Sequence, residues 1–254
     1  MDATSSISAR AATISDHGHY AAMLPELGVD DPILEPARWS AELMPGTLLF
    51  EENGVVVGYA WIVPMGDVAY VRHVVVAKNA RGRGVGRFIM REIARRMRAA
   101  GCTDWVLNVK VDNVPAIRLY SSIGFEKEYD SASMRLAWDV VEHLPSEAGY
   151  SARLIERRED ELVERAFNLL KNRIANVRLQ NGWILMRLED PMNPDDYGIG
   201  FTCFQPQFPG CFPFASPDQT SLACCSMQLA RMPCQRSTTS TSSWKMMRVS
   251  NDSS

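Results

Sequence analysis

The sequence has no Cys-x-x-Cys pair, although five of its six cysteines fall between Cys203 and Cys234. None of the four histidines lies among them, so the spacing that holds zinc is missing and no metal is expected. An apolar leader is also lacking: Asp2, Arg10, Asp16 and Glu26 interrupt the N-terminal segment, and a secretory signal is not expected. No run is long enough for a bilayer, the longest apolar stretch being Gly54 to Met65, which contains both Gly and Pro. Nor is there an excess of positive charge. Lys and Arg number 27 against 30 Asp and Glu, a net charge of −3, and no aromatic base-stacking pattern accompanies the arginines. These absences point away from membrane and nucleic acid and toward the cytoplasm, where disulfides are not expected either. What remains, 254 residues of which 46% are hydrophobic, is enough to build a core in one or two domains.

The most informative segment present is Arg81-Gly82-Arg83-Gly84-Val85-Gly86. It follows the β-type run Val74-Val75-Val76 and opens into a helical stretch from Arg87 to Ala100. Strand, glycine loop and helix start in that order form a phosphate-holding device. Glycines let the backbone approach closely, and the helix N-terminus adds partial positive charge. No Lys-Ser/Thr pair follows, which excludes a Walker loop, and the spacing lacks the final gap of the dinucleotide fingerprint. Arg87, Arg91, Arg95 and Arg98 form the polar side of the helix, opposite Phe88, Ile89, Ile93 and Met97. Three of these arginines read as an ordinary solvated face. Arg87, in the first turn, opposes the helix dipole, and a phosphate partner would explain it.

Around this loop the chain alternates between β and α patterns. Ile7 to Thr13 reads as a strand, Ser15-Asp16 as a cap, His17 to Leu27 as a helix, and Ala37 to Met44 as a short helix after Pro36. Thr47 to Glu52 and Val55 to Val63 are β-rich and separated by Asn53-Gly54, a hairpin signal. Asp67 to Ala77 is the next strand, and Gly101 closes the long helix that starts at the glycine loop. A strand from Trp105 to Val109, a helix from Val114 to Ser122, and strands Phe125 to Tyr129 and Ser133 to Trp138 complete the series. Hairpins in front and βαβ-like units behind imply an α/β (α+β) fold, with a mixed, twisted, mostly antiparallel sheet and helices on both faces.

A second motif follows the loop: Asn113, then Ala116, Leu119-Tyr120 and Gly124-Phe125. With Arg-x-x-Gly-x-Gly at Arg81 to Gly86, this resembles the paired signatures of the GNAT N-acetyltransferase superfamily, over residues 7 to 140. The resemblance implies acetyl-CoA as co-substrate and a primary amine, on a small molecule or a peptide, as acceptor; a homodimer is compatible with it. It implies that backbone groups of Val74, Val75 and Val76 meet the thioester and pantetheine. The amides of Arg81, Gly82, Arg83, Gly84, Val85, Gly86 and Arg87 would hold the pyrophosphate, and Asn113 would contact the cofactor further along. Tyr120 stands at the family's general-acid position, where a phenol can protonate the departing thiolate. Many relatives carry a Glu at the position occupied here by Arg72. His73 titrates in the right range to serve as base, directly or through water. Strand alternation sets His73 and Val75 on one face and Arg72, Val74 and Val76 on the other. A packed histidine is the competing reading, and Arg72 is then a residue that recognises an acidic substrate group. Glu51 and Asp67 are further base candidates. A non-catalytic acyl-CoA-binding sensor or interaction module is the alternative to an enzyme, favoured by the missing carboxylate at Arg72.

The character changes near Pro145. The expected organisation is a catalytic domain over residues 1–144, a linker over 145–149, a partial second α/β domain over 150–214, and a disordered tail over 215–254. Tyr150 to Ile155 is strand-like, an amphipathic helix carries Leu162, Phe167, Leu170 and Ile174, and Trp183 to Leu188 is a further strand. This start echoes residues 9 to 27 and suggests an incomplete second GNAT-like domain. The tail holds fourteen Ser and Thr between Ala215 and Ser254, a composition that argues against packing. Read in another frame, the nearly fixed codons of Trp244-Lys245-Met246-Met247 encode Glu and Asp-type residues, so a frameshifted remnant is one origin for it.

Overall fold

The structure, a computed structural model, describes residues 7–29, 31–135, 149–180, 182–205, 211–215 and 240–250. The chain divides into two compact units, Met1–Ser131 with Ser243–Ser254, and Ala132–Ser242.

In the first unit β1 (Ile7–Ala11) leads to α1 (His17–Met23) and α2 (Pro36–Glu42), then β2 (Thr47–Glu52), β3 (Val55–Met65) and β4 (Val68–Val76). After the glycine loop come α3 (Val85–Ala99), β5 (Asp104–Lys110), α4 (Val114–Ser121) and β6 (Glu126–Arg135). The seventh strand of this sheet is the last in the chain, β11 (Ser240–Ser250), and the order is β1-β2-β3-β4-β5-β11-β6. Strands β4 and β5 pair parallel, whereas β1–β2, β2–β3, β3–β4 and β5–β11 pair antiparallel.

Several local signals produce the elements they predict. Asn53 and Gly54 both have positive φ, 53° and 77°, as a tight turn joining two right-twisted strands requires, and β2 and β3 pair on either side of it. Helix α3 buries Val85, Ile89, Met90 and Ile93 and leaves Arg87, Arg91, Arg95 and Arg98 exposed. Pro25 shortens the first helix. Lacking an N–H, it cannot continue the α-helical ladder, so the chain tightens into a 3-10 turn, Leu24–Leu27, capped by Gly28 at φ 70°. The two strands expected after Phe125 are one strand, β6, within the described residues.

Part of the tail departs from expectation: residues 244–250 of β11 pair with β5 from Trp244↔Lys110 to Ser250↔Asp104, and residues 216–239 and 251–254 lie outside the described residues. Met246 and Met247 are buried, Met247 within the same cluster as Ile89, Leu107 and Tyr120, and Arg248 binds Asp104 at 3.0 Å. Burial of two methionines and a full ladder offset the ordering cost that the Ser/Thr-rich composition predicts.

The helices cover both faces of the first sheet. Helices α3 and α4 pack with Val74, Val76, Leu107 and Val109, whereas α1 and α2 pack with Leu49, Tyr59 and Val75.

The second unit runs β7 (Ser151–Leu154), α5 (Asp160–Ala166), α6 (Arg173–Leu179), β8 (Ile184–Glu189), β9 (Phe201–Phe204) and β10 (Cys211–Ala215), with sheet order β10-β9-β8-β7. Its core is Ile155, Val163, Ile174, Val177, Leu185, Phe201 and Cys203. The unit repeats the first half of unit one in detail. Arg10 binds both oxygens of Asp16, at 2.7 and 2.8 Å, and its Nε reaches Glu51. Arg153 likewise binds both oxygens of Glu159, at 2.8 and 2.6 Å, and its Nε reaches Glu189. Thr13 and Glu156, three residues after each arginine, donate their backbone N–H to Asp16 and Glu159. The registers agree as well: Ser8 faces Glu51, and Ser151 faces Glu189. In the second unit Arg187 stands opposite Arg153, where Leu49 stands opposite Arg10. It is buried against Glu159, Glu189 and the Tyr197 ring.

Among the described residues, no helix is long and apolar enough to cross a membrane.

Candidate active site

The site begins with an irregularity in β4. Trp61 of β3 faces His73 and Ile62 faces Val71, so Arg72 is an extra residue with no partner position across the ladder. Such a bulge bends its strand and increases twist. The parallel pairing of β4 with β5 stops at the same place, its last pair being Val71↔Leu107, although β4 runs on to Val76 and β5 to Lys110. The strands therefore splay, and a cleft opens between them.

That cleft joins the two faces of the sheet. Ala116 and Tyr120 of α4 line it with Val74, whereas Leu27, which packs with the α1–α2 cluster, lines it with Arg72, Asn108 and Lys110. Backbone groups border it too. Ala77 N–H bonds to Val57 C=O, which makes Gly58↔Val76 a pair without direct ladder bonds. The N–H and C=O groups of Val76 and, by alternation, Val74 consequently face the open side, where Arg81 Nε donates to Val76 C=O at 3.1 Å. The backbone groups of Val75 point to β3.

The glycine loop lies at the far end of β4. Gly82 and Gly84 have φ of 75° and 84°, and a Cβ on either would meet nothing within 4 Å. The first bond of α3 runs from Phe88 N–H to Gly84 C=O, so the amides of Val85, Gly86 and Arg87 precede the helical ladder. An open concavity of amides at a helix N-terminus fits a pyrophosphate. Gly86 serves a different purpose: a Cβ there would lie 3.0 Å from Leu119 Cδ2, so this glycine lets α3 approach α4. The arginines have protein partners, Arg81 with Glu26 at 2.7 Å, Arg83 with Glu52, and Arg87 with Ser122 Oγ at 3.2 Å.

Of the residues singled out from the sequence, Arg72, Val74, Asn113 and Tyr120 meet in the cleft. Asn113 also caps α4, its Oδ1 accepting from Ala116 N–H at 3.2 Å. Tyr120 packs its ring 5.8 Å from Phe125, and burial pushes its hydroxyl up to about 12, so the phenol keeps its proton throughout the neutral range. His73 lies elsewhere. The residue is 8% exposed, and its ring packs edge-on against Trp61 and Tyr59 and shares a 3.2 Å hydrogen bond with the Tyr59 hydroxyl. Burial, and secondarily the charge of Arg72, lowers its pKa to about 3. An imidazole held neutral to that point is a poor acceptor for an ammonium proton, which argues against the base assignment. Glu51, on β2, is bound to Arg10 of β1, and Asp67 sits in the turn before β4, where its C=O accepts from the N–H groups of Thr103 and Asp104.

Strict alternation fails at the bulge. The Arg72 guanidinium lies 5.0 Å from the Trp61 ring and 5.1 Å from the Tyr70 ring, so Arg72 shares Trp61 with His73 instead of opposing it. Sequence reasoning also missed Asn108. Its Nδ2 donates to Tyr70 OH at 2.8 Å, and its Oδ1 is buried with no hydrogen-bond partner among the described residues. A polar residue between Leu107 and Val109 in a buried strand was the available signal.

Comparison with known proteins identifies the family and the fold. The acetyltransferase (GNAT) family model matches residues 19–125. The N-alpha-acetyltransferase RimI of Mycobacterium tuberculosis is 30% identical over 131 residues, covering 49% of this chain and 81% of that protein. Two solved structures share the fold over 96% of this chain: a proposed acetyltransferase from Pyrococcus horikoshii (TM-score 0.67, 18% identity, 89% of that chain) and a GCN5-related N-acetyltransferase from Sphaerobacter thermophilus (TM-score 0.62, 13% identity, 96% of that chain). On the family match and the likeness to RimI, the chain belongs to the GNAT family of acetyltransferases.

Proposed function

We propose that the protein transfers an acetyl group from acetyl-CoA to a primary amine of a small molecule or peptide, in the cytoplasm, by direct attack of the amine. The observation that carries this reading is the cleft between β4 and β5, which opens toward α4 on one face and toward Leu27 and Arg72 on the other. A passage through the sheet lets donor and acceptor enter from opposite sides and meet without a covalent enzyme intermediate.

Acetyl-CoA supplies the acetyl group as a thioester. The amides of Gly82 to Arg87 bind its pyrophosphate, and Asn113 lies along its course. Val74 N–H donates to the carbonyl oxygen as negative charge builds there, and Val76 N–H, two residues further along the strand, meets the pantetheine. As the N–C bond forms and the C–S bond breaks, Tyr120 gives its hydroxyl proton to the sulfur. A carboxylate base is not part of this proposal, because no Asp or Glu is among the described residues lining the cleft. The ammonium gives up two protons, one to water before attack and a second as the C–N bond forms, and the second passes through water to restore the hydroxyl of Tyr120. His73 and Tyr59 buttress the strand bulge from the α1–α2 side. Residues 150–214, which fall within the second unit, form an incomplete GNAT-like domain without a glycine loop of its own.

Release of free thiol from acetyl-CoA with a panel of amines tests the reading on the full chain. Thiol release that depends on both the amine and Tyr120 supports it. Saturable acetyl-CoA binding without turnover on any amine would instead favour an acyl-CoA sensor.

A further inference from the structure

The acceptor side of the cleft has an uneven charge. Arg72 and Lys110 line it, and no carboxylate does so among the described residues. Arg72 is held in place by two rings, Trp61 at 5.0 Å and Tyr70 at 5.1 Å. Its position is further fixed by the bulge, which sets it next to Val71, the last residue of β4 paired with β5. A stacked guanidinium loses little further entropy on binding a planar anion, and its fork matches a carboxylate. A second group completes the arrangement: Asn108 Oδ1 is a buried acceptor without a partner among the described residues, and it too lines the cleft. A buried acceptor left unpaired costs roughly 1–3 kcal/mol, which an incoming N–H would recover.

We infer that the acceptor is an amine carrying a carboxylate within about two residues' reach, its N–H received by Asn108 Oδ1 and its carboxylate by Arg72 and Lys110. The inference rests on the acetyl-transfer reading above and names the substrate class for that site. The two cations also disfavour acceptors that bring a second positive charge, so polyamines and lysine-rich peptides are expected to be the poorer acceptors.

The test uses the full chain, acetyl-CoA and three short peptides that share an N-terminal Ala and differ only at the second residue: Glu, Gln or Lys. The expected result is a kcat/KM for the Glu peptide at least about tenfold above that for Gln, with Lys lowest, since a charge-assisted pair is worth more than one such factor. Arg72→Gln is expected to bring the Glu-to-Gln ratio close to one through KM, and Arg72→Lys to restore part of it. Variants that only loosen the fold lower all three peptides together and leave the ratio standing. Thiol release that ignores the second residue overturns this inference and leaves acetyl transfer intact. A rise in the KM for acetyl-CoA with an unaltered ratio also overturns it, because the cation then serves the donor. Absence of thiol release with all three peptides, and with free amines, overturns both readings.

Discussion

Gly86 lies against Leu119: a methyl group built on Gly86 would come within 3.0 Å of Leu119 Cδ2, the contact that seats α3 on α4. Gly84, two residues earlier, faces open space at φ 84°. The two glycines of one motif therefore predict different failures. Gly86→Val is expected to overpack the α3–α4 seam and cost about 1–3 kcal/mol of stability. Gly84→Val costs about 1–2 kcal/mol through its left-handed backbone, and its side chain fills the space in front of the amides. Thermal melts and calorimetric acetyl-CoA titration should show Gly84→Val losing affinity out of proportion to its change in melting temperature. Equal loss of affinity and stability in both variants would contradict this division.

Tyr120 should act as an acid whose own ionisation is never seen. Its hydroxyl is pushed up to about 12 by burial, so no basic limb attributable to it falls below pH 11 or so. Tyr120→Phe should lower kcat by about a hundredfold, within the range for loss of a general acid, with acetyl-CoA affinity nearly kept. An unaltered kcat removes the role.

For His73 two readouts should separate. With its pKa at about 3, the ring does not titrate between pH 6 and 9, and His73→Asn should leave the shape of the pH–rate profile in that window as it is. Stability is different. In the unfolded chain the ring takes up a proton near pH 6.5, whereas the folded state resists protonation until about pH 3, so acid favours unfolding throughout that interval. Removing the imidazole should flatten the fall in stability between these values, measured by denaturant titration at several pH values.

Strand β11 should be indispensable to the catalytic unit. A chain ending at Thr239 loses Met246 and Met247 from the core, each contributing about 1.5–3 kcal/mol by burial, and leaves β5 with a bare edge. Lower melting temperature and self-association by light scattering are the expected outcomes. A monomeric chain with an undiminished melting temperature would rule out the role. For the same reason, residues 1–144 alone are an unsuitable fragment for activity work.

Glu159 predicts an acid-sensitive second unit. Its hydrogen bonds to Arg153 hold its carboxylate down to about 2. This stabilisation is complete above about pH 4.5 and disappears as the pH falls through 2, a contribution on the order of 2 kcal/mol. Glu159→Gln should lower stability at pH 7 and weaken its dependence on pH between these limits, followed by urea unfolding of the full chain.

Much of the fold was legible because it is encoded locally. Asn53-Gly54 specifies a hairpin turn through the left-handed conformations those two residues tolerate, and the stripe of α3 follows from helical periodicity. Other features were not legible. The bulge at Arg72 depends on how β3 and β4 settle their registers, which no residue type in Val71-Arg72-His73 announces. The Ser/Thr-rich segment around Trp244 carries no strand pattern, and becomes a strand because β5 offers it an unpaired edge. The Arg-x-x-Thr-x-x-Asp and Arg-x-x-Glu-x-x-Glu spacings at Arg10 and Arg153 were in plain view as residues, but their meaning as a repeated clamp depends on Glu51 and Glu189 arriving from other strands.

By itself the sequence determined the glycine loop, the helix it opens, the paired motifs and with them the family, since each rests on residue types acting within a few positions of one another. Tertiary structure alone decided that β4 and β5 part at Val71, that His73 is neutral, that Gly86 serves packing, and that Arg72 and Lys110 share a cleft with Asn108. The physical reason is distance along the chain. Burial, charge and close approach are set by neighbours in space, and at this site those neighbours come from Leu27 at one end of the domain to Tyr120 at the other.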